Sequence, residues 1–471
     1  MRIFPALLAG LIIIACGEAS HADNNNSISI TYKLRPEWQG PCRRTETIDV
    51  DLGNAPEVFV RAAACQISGR EPEAETVATW AEKLRNDPAI RRMDVIKDLC
   101  NQFNRACTFR YSDPWVDSYS HSLIDCVKRG RRDIGAVVMF FFHCPGGDNC
   151  RMDWASGHAP GMDRPDHRLG FGEQRTGYYD ASNPGFWAFE LRHARAAGLQ
   201  FILPNVYGPD MAGGQIDTLA QALKADTREP VKIGLFDDTW AWGETKFGEP
   251  WATAPDLGDA NAAADRLYHL KWQPFFRKIP ARNWYRIRER PVIYFYNAGT
   301  LKPTHQAAAV VARMKALFKA DFGVDPFVAV DDAFFADPAM AGVADSRFRW
   351  DTFSEPFTAA DGTVALKDGI SRSSMHGRVM TSAMVRWDSH ARDALEGNAQ
   401  AFAGRTVKGP ERLQAVLDAT QDADSLVLET WNDLGEGTGV DFNYDYYYRG
   451  QWLQPDAFIR QIRASQCTNG S

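Results

Sequence analysis

Apolar runs of four to nine residues recur along the chain from about residue 133, and amphipathic stretches separate several of them. The runs predict eight strands: Ile134–Phe142, Leu199–Pro204, Val231–Phe236, Pro291–Tyr296, Phe327–Val330, Phe348–Phe353, Arg378–Met384 and Leu426–Thr430. Helical spacing of apolar residues predicts helices at Phe186–Ala197, Ile216–Leu223, Val310–Phe318 and Leu413–Ala419. Continuous apolar strands that alternate with amphipathic helices are typical of a parallel sheet buried on both faces.

Eight strands connected in this way predict an α/β fold, a (β/α)8 TIM-type barrel over residues 131–471. A doubly wound open sheet is the alternative that the same pattern allows. Such a sheet would carry a Gly-rich phosphate turn after its first strand, but this strand runs into His143-Cys144-Pro145-Gly146-Gly147 instead of GxGxxG. The pattern therefore favours the barrel.

Residues 23–130 are predicted to form a separate N-terminal region with a small α-helical accessory domain at about 56–103. A strand is expected at Ile28–Lys33, and a turn at Ser68–Pro72 follows a first helix that begins near Phe59. Two further helices are predicted from apolar residues three to four positions apart: Val77, Trp80 and Leu84, then Ile96, Leu99 and Phe103.

The first 22 residues have the features of a bacterial signal peptide. Arg2 precedes an apolar run that is too short to span a bilayer, and Ser20-His21-Ala22 offers a cleavage site. Alternatively, Cys16 ends a lipoprotein box and is acylated, which would anchor the protein in the outer membrane. We expect a secreted or periplasmic protein without a transmembrane segment, because no later segment is long and apolar enough to span a bilayer.

Cysteine usage and charge narrow the possible compartments and partners. Without Cys16, eight cysteines remain, an even set that suits disulfides in an oxidising compartment. Seven of them lie before residue 151, so disulfide bonds are expected mainly in the N-terminal region. The formal net charge of −7 and the lack of a long basic stripe argue against nucleic-acid binding, which requires clustered Lys and Arg.

Polar and aromatic residues follow nearly every predicted strand. In a barrel, the C-terminal ends of the strands and the loops behind them carry the active site, so these residues are candidates for substrate binding. They are His143, Asn205, Tyr207, Asp237, Asp238, Trp240, Trp242, Tyr294, Tyr296, Asp331, Trp431 and Asn432. Carboxylates accept hydrogen bonds from sugar hydroxyls and indole rings stack on sugar faces, so the set suits a carbohydrate.

The segment after the last strand, Trp431-Asn432-Asp433-Leu434-Gly435-Glu436, resembles the WN(D/E)xxE motif of glycoside hydrolase families 71 and 99. Weaker similarity runs through Tyr179–Pro184 and Arg290–Tyr294. This resemblance implies a barrel that cleaves α-linked polysaccharides, with Glu436 as the general acid/base and Asp433 as the base or stabilising carboxylate. Asp433 stands where the family-99 pattern has Glu.

A second resemblance covers about 45 residues of the helical accessory domain. Gly69-Arg70-Glu71-Pro72 and Trp80 resemble the LGREPD-type repeat of extracellular bacterial proteins, which is similar to phycobilisome-linker domains. The resemblance implies an accessory module that carries no chemistry.

These observations predict a secreted glycoside hydrolase, endo-acting on an α-linked polysaccharide or oligosaccharide. Two alternatives stay open: a catalytically silent glycan-binding barrel and a polysaccharide-processing partner. We expect no cofactor and no metal. His158, Asp163, Asp166 and His167 lack the helical HExxH spacing of a zinc site, and Asp441-Phe442-Asn443-Tyr444-Asp445 lacks the Gly and Glu of a calcium loop.

Overall fold

The computed structural model describes most of the barrel region and the helical part of the N-terminal region. The described residues are 27–30, 42–44, 56–86, 92–105, 108–111, 127–128, 131–140, 181, 184–207, 216–225, 231–239, 254–297, 299–302, 304–350, 356–386, 409–433, 438–441, 447–448, 451–452 and 456–468. The predicted signal peptide, including Cys16, lies outside these residues.

Three helices form the N-terminal helical unit: α1 (Pro56–Ser68), α2 (Ala74–Asn86) and α3 (Arg92–Gln102). All three match predicted helices, and the strand Ser27–Ile30 lies close to the one expected there. Gly69 ends α1 with a positive φ of 76°, and a Cβ atom at this position would lie 3.0 Å from Arg44. Phe103 lies beyond α3 and is 44% exposed, so its predicted place in an apolar stripe is wrong.

Besides the two-residue strand Lys232–Ile233, which precedes the third strand and pairs in parallel with the second, eight parallel strands follow in the described residues, and each overlaps one predicted strand. They are β1 (Asp133–Val138), β2 (Phe201–Val206), β3 (Leu235–Asp238), β4 (Arg290–Tyr296), β5 (Phe327–Asp331), β6 (Ser346–Phe348), β7 (Arg378–Ala383) and β8 (Ser425–Leu428). The sixth strand ends at Phe348, where the prediction had it begin. The strand begins earlier than predicted because Ser346-Arg347-Phe348 contains only one apolar residue, and hydrophobicity therefore does not identify the segment as a strand.

The strands lie in the order β6-β5-β4-β3-β2-β1-β8-β7, the cyclic order of a barrel. Parallel ladders join each neighbouring pair in this order. Among the described residues, no ladder joins β6 to β7. The structure therefore establishes the curled α/β sheet, whereas full closure of the TIM barrel stays a prediction.

A hairpin occupies the place between β6 and β7. Its strands, Val364–Lys367 and Ile370–Met375, run antiparallel and extend the sheet beyond β7. Ser373 and Ser371 accept hydrogen bonds through their hydroxyls from the backbone N–H groups of Arg347 (3.2 Å) and Arg349 (3.1 Å). Side chains thus bind the edge of β6, which no ladder covers in the part of the chain that the structure describes.

The helices cover the outer face of the sheet. They are α4 (Pro184–Ala197), α5 (Ile216–Ala225), α6 (Ala260–Leu267), α7 (Gln273–Lys278), α8 (Ala307–Phe322), α9 (Pro410–Ala419) and α10 (Ala457–Gln466). All four predicted helices of the barrel region are present. Eight regular βα units are not, because short 3-10 turns (Asp332–Ala336 and Pro338–Gly342) follow β5 and the hairpin follows β6.

The floor of the barrel, at the N-terminal ends of the strands, is filled by aromatic rings. Phe201 of β2 stacks on Tyr285 with ring centroids 3.8 Å apart. Gly135 of β1 lies beside Phe201, and a Cβ atom there would lie 2.2 Å from the ring. This close approach requires glycine at position 135.

Disulfides join cysteines in the described part of the chain, as the even cysteine set predicts. Cys42 pairs with Cys65 of α1, and Cys100 and Cys467 are disulfide-bonded as well.

We expect thiol titration of the unfolded, unreduced mature protein to find essentially no free thiol. Two or more free thiols per chain would contradict the prediction.

In the described residues, none of the helices has both the length and the apolar character that crossing a membrane requires.

Candidate active site at the C-terminal ends of the strands

Side chains at the C-terminal ends of the strands converge on the interior of the curled sheet. Adjacent residues of a strand face opposite sides, so the contacts of one residue fix the direction of its neighbours. The ring of Phe236 on β3 contacts those of Tyr294 and Tyr296 on β4. This interior face continues to the last inward positions, which are Asn205, Asp238, Tyr296, Asp331, Trp350 and Glu429. We call this set the mouth.

Asn205 and Asp238 meet at the mouth. The Asn205 side-chain N–H donates to Asp238 Oδ2 over 3.2 Å and also lies 3.3 Å from the sulfur of Met139. Asn205 Oδ1 is buried and has no hydrogen-bond partner among the described residues, which leaves an acceptor at this position. Tyr207, also predicted to bind substrate, follows β2 and is half-buried against the core.

Asp237 points away from the mouth, into the space between β3 and the helices. Its carboxylate pairs with Lys271 and accepts a 2.7 Å hydrogen bond from the indole N–H of Trp272. Lys271 and Trp272 belong to a π-helical turn, Tyr268–Trp272, that connects α6 to α7. Both charged side chains are fully buried. Two adjacent aspartates cannot face the same side of one strand, so only Asp238 remains a candidate for binding substrate.

Aromatic rings line the mouth on the side of β4 and β6. Trp350, two residues beyond β6, is half-buried and lies 4.7 Å from Phe236 and 5.8 Å from Tyr296, measured between ring centroids. Tyr294, one layer deeper, packs on Phe348. Burial, together with the nearby Glu429 carboxylate, raises the pKa of Tyr294. Trp350 is not among the residues that the sequence predicts to bind substrate, although its place two residues after Phe348, on the same side of the strand, is a usable signal.

Asp331 is a buried carboxyl group at the end of β5. Its side chain accepts a 2.9 Å hydrogen bond from the backbone N–H of Ala333 and so caps the 3-10 turn that follows. Burial raises the pKa of Asp331 to about 7, and the neighbouring Asp332 carboxylate adds to the effect. Asp331 can therefore carry or release a proton near neutral pH, which suits a general acid or base.

We expect Asp331→Asn to be more stable than the wild type above pH 7 and to lose this advantage near pH 4. The native pKa lies above the unfolded value, so the stability that the carboxyl contributes is full below the unfolded pKa and falls as pH rises towards 7. Each pH unit in this window costs up to about 1.4 kcal/mol. Urea unfolding of both proteins from pH 4 to pH 8 measures the difference in their free energies of unfolding. Asn keeps the acceptor for Ala333, and Asp325→Asn, at an exposed ion pair, is the control.

We call the segment that follows β8, residues 429–441, the β8 loop. Glu429 is buried at its start and faces the mouth next to Tyr294. Asp433 is 6% exposed, and its backbone oxygen accepts hydrogen bonds from the N–H groups of Thr438 (3.2 Å) and Gly439 (3.3 Å). These bonds bring the two described ends of the β8 loop together.

Trp431 and Asn432, predicted to bind substrate, lie behind the mouth and are fully buried. The indole N–H of Trp431 donates to Glu190 of α4 over 2.7 Å. The Asn432 carboxamide accepts from the N–H of Met139 (2.7 Å) and donates to its carbonyl (2.9 Å), which extends the pairing of β8 with β1. Their polar groups are therefore used within the protein, and we assign both side chains a supporting role.

Several predicted site residues lie outside the described residues: His143, Trp240, Trp242 and Glu436. The His/Asp cluster at 158–167, which lacks the spacing of a zinc site, lies outside them too. Within the described part of the chain, the His, Cys, Asp and Glu side chains close enough to hold a metal are Cys42, Cys65 and Glu71. The two sulfurs are joined in a disulfide, so this group is not a metal site.

Comparison with known proteins gives a family and distant structural similarities. The sequence model of the family described as "Domain of unknown function (DUF5010)" matches residues 174–464, more than half of the chain. Among curated proteins, none matches the sequence significantly. The similar solved structures include the GH99 endo-alpha-mannosidase from Bacteroides thetaiotaomicron, which is 11% identical with a TM-score of 0.44 and covers 70% of this chain and 95% of its own.

A second solved structure, titled "Glycoside hydrolase-like protein", is 15% identical to this chain with a TM-score of 0.44. The alignment covers 73% of this chain and 96% of that protein. Similarities at these TM-scores do not determine an activity.

Proposed function

Because this chain belongs to the DUF5010 family, which is described as a domain of unknown function, we propose its activity from the site itself: it is a glycoside hydrolase. The observation that carries the proposal is the set of carboxyl groups at the C-terminal ends of the strands. Asp238, Asp331 and Glu429 face the mouth, and Asp433 follows on the β8 loop. Hydrolysis of a glycosidic bond needs two carboxyl groups with different protonation states.

The aromatic side of the mouth supports a carbohydrate substrate. Trp350 and Tyr296 present partly exposed rings next to polar acceptors, the combination on which a sugar ring can stack while its hydroxyls donate hydrogen bonds. The acceptors are Asp238 and the side-chain oxygen of Asn205, which has no partner within the described part of the chain. We propose that the substrate is an α-linked polysaccharide, on the basis of the motif similarity of the β8 loop.

The catalytic roles follow from the same motif. Glu436 is proposed to protonate the glycosidic oxygen as it leaves, so that the bond to the sugar's anomeric carbon breaks without forming an alkoxide. Asp433 is proposed to act from the other side of the sugar, either as a base on a sugar hydroxyl or water or by stabilising the positive charge that develops at the anomeric carbon. Export by the signal peptide would bring the enzyme to extracellular or periplasmic polysaccharide.

The proposal is tested by incubating the mature protein with a panel of α- and β-linked polysaccharides and measuring the release of reducing ends. Activity on an α-linked member supports it. Binding without release of reducing ends would point to the alternative of a silent glycan-binding protein. Neither binding nor cleavage across the panel would overturn the carbohydrate assignment.

Trp350→Ala is expected to weaken binding of that polysaccharide by about tenfold, because loss of a stacking ring costs on the order of 1 kcal/mol or more. Trp350 is half-buried, so its loss should lower the melting temperature only slightly. Affinity electrophoresis measures the binding. Trp80→Ala on α2 is the matched control, since its indole lies in the N-terminal helical unit against Lys83. Unchanged binding by Trp350→Ala would remove this residue from the site.

A further inference from the structure

A buried group of ionisable side chains lies between α4 and the β8 loop. Glu190 and His193 are three residues apart on one face of α4, and both are fully buried. Glu190 accepts from the Trp431 indole, and its other oxygen lies 3.4 Å from the Asn432 side-chain nitrogen. His193 Nδ1 lies 2.8 Å from Asp441 Oδ1. The helix α4 therefore contacts both ends of the β8 loop. Glu190 contacts the start of the loop and His193 contacts its last residue, Asp441.

The two ends of the β8 loop are also bonded to each other. The carbonyl of Trp431 accepts hydrogen bonds from the N–H groups of Val440 (2.8 Å) and Asp441 (2.9 Å). The hydroxyls of Thr430 and Thr438 lie 2.8 Å apart. Asp433 lies between these anchored positions, and its backbone N–H donates to Thr430 over 3.2 Å. The position of its carboxylate therefore depends on the base formed by residues 430–432 and 438–441.

We infer that Glu190 and His193 are positioning residues, which hold the base of the β8 loop so that Asp433 is correctly placed at the mouth. The inference rests on the proposed function of Asp433. Buried ionisable groups are costly compared with apolar packing, so stability alone is a weak reason for this arrangement. An active-site group has to be held to within about 0.5 Å, which hydrogen bonds to a rigid helix provide better than apolar contacts.

Glu190 fits this role as a neutral acceptor. Burial raises the pKa of Glu190 well above its ordinary value, and the Asp441 carboxylate raises it further, while the hydrogen bonds from Trp431 and Asn432 act in the opposite direction. A protonated Glu190 avoids two like charges in the same buried space. A glutamine should therefore reproduce both its shape and its charge.

The test compares Glu190→Gln, Glu190→Leu and the wild type in two independent measurements. Glu190→Leu keeps the volume approximately but leaves the Trp431 N–H without its acceptor, so the base of the loop should shift. We expect its kcat on the cleaved polysaccharide to fall about 10–100-fold, since a displacement of about 1 Å can cost 10²-fold. Its KM should change less than about threefold, because Glu190 does not face the mouth. Glu190→Gln should retain wild-type kcat within about threefold.

Hydrogen–deuterium exchange of the peptide that contains residues 430–441 is the second measurement, and it needs no substrate. Exchange should become faster in Glu190→Leu and stay at the wild-type rate in Glu190→Gln. Thr218→Val is the control, because Thr218 loses a buried 2.7 Å hydrogen bond to the Ala181 carbonyl that does not involve the β8 loop. It should lower the melting temperature without changing kcat or the exchange of this peptide.

The outcomes separate the inference from the proposed function. If no polysaccharide is cleaved, the proposed function fails, and the exchange measurement still decides whether Glu190 holds the loop. If cleavage occurs but Glu190→Leu matches the wild type in kcat and exchange, the inference is overturned. If Glu190→Gln loses as much kcat and protection from exchange as Glu190→Leu, the statement that Glu190 acts as a neutral acceptor is overturned. If Glu190→Leu does not fold, Trp431→Phe removes the same hydrogen bond from the donor side and should change kcat and exchange in the same direction.

Discussion

Glu436→Gln and Asp433→Asn are each expected to lower kcat on the natural polysaccharide by about 10²-fold or more. Glutamine keeps the size of the acid but cannot donate its proton to the leaving oxygen. Asparagine at position 433 can neither accept a proton nor carry the negative charge that the aspartate places on the other side of the sugar. Since the two groups act on opposite sides of one bond, neither replaces the other. Initial rates of reducing-end release measure the loss.

An activated substrate distinguishes the two roles. A glycoside with a good leaving group needs little protonation, so it should recover part of the activity lost in Glu436→Gln and little of that lost in Asp433→Asn. Glu82→Gln on α2 and Asp325→Asn after α8 make the same chemical changes at exposed positions and should leave kcat unaltered. Near-wild-type turnover of the natural polysaccharide by either catalytic variant would disprove the corresponding role.

Lys271→Met is expected to lower the free energy of unfolding by about 3–5 kcal/mol, because it leaves the Asp237 carboxylate buried without its counter-ion. Adding Asp237→Asn to Lys271→Met should recover most of the loss. The amide is neutral and still offers an oxygen to the Trp272 indole N–H. Urea unfolding of the single and double variants measures both effects.

Lys278→Met is the matched control for this prediction. Lys278 pairs with Asp217, which is 53% exposed, and exposed ion pairs contribute about 0–1 kcal/mol. A loss in Lys271→Met no larger than in the control would show that Asp237 is not held as a buried charge. A double variant as unstable as the single one would show that packing of the lysine stem, rather than the unpaired charge, determines the cost.

The sequence by itself determined the parallel strands of the sheet and their order. Seven of the eight apolar runs contain a strand, the sixth run meets its strand only at Phe348, and the four predicted helices of the barrel region are present, because continuous apolar runs and helical spacing report burial by local periodicity. Periodicity did not reveal the connections after β5 and β6. There the chain forms 3-10 turns and a hairpin whose serines bind the edge of β6, which are contacts between residues distant in sequence.

Only the tertiary structure decided which polar residues face the mouth. Asp237 and Asp238 look equivalent in sequence, but strand alternation places the first against Lys271 and the second against Asn205. Trp431 and Asn432 belong to the most specific motif of the chain, yet they bind Glu190 and Met139 behind the site. Glu190 and His193 gave no signal in the sequence. They acquire their role because folding brings α4 against a loop more than 200 residues away, and no local pattern encodes such a contact.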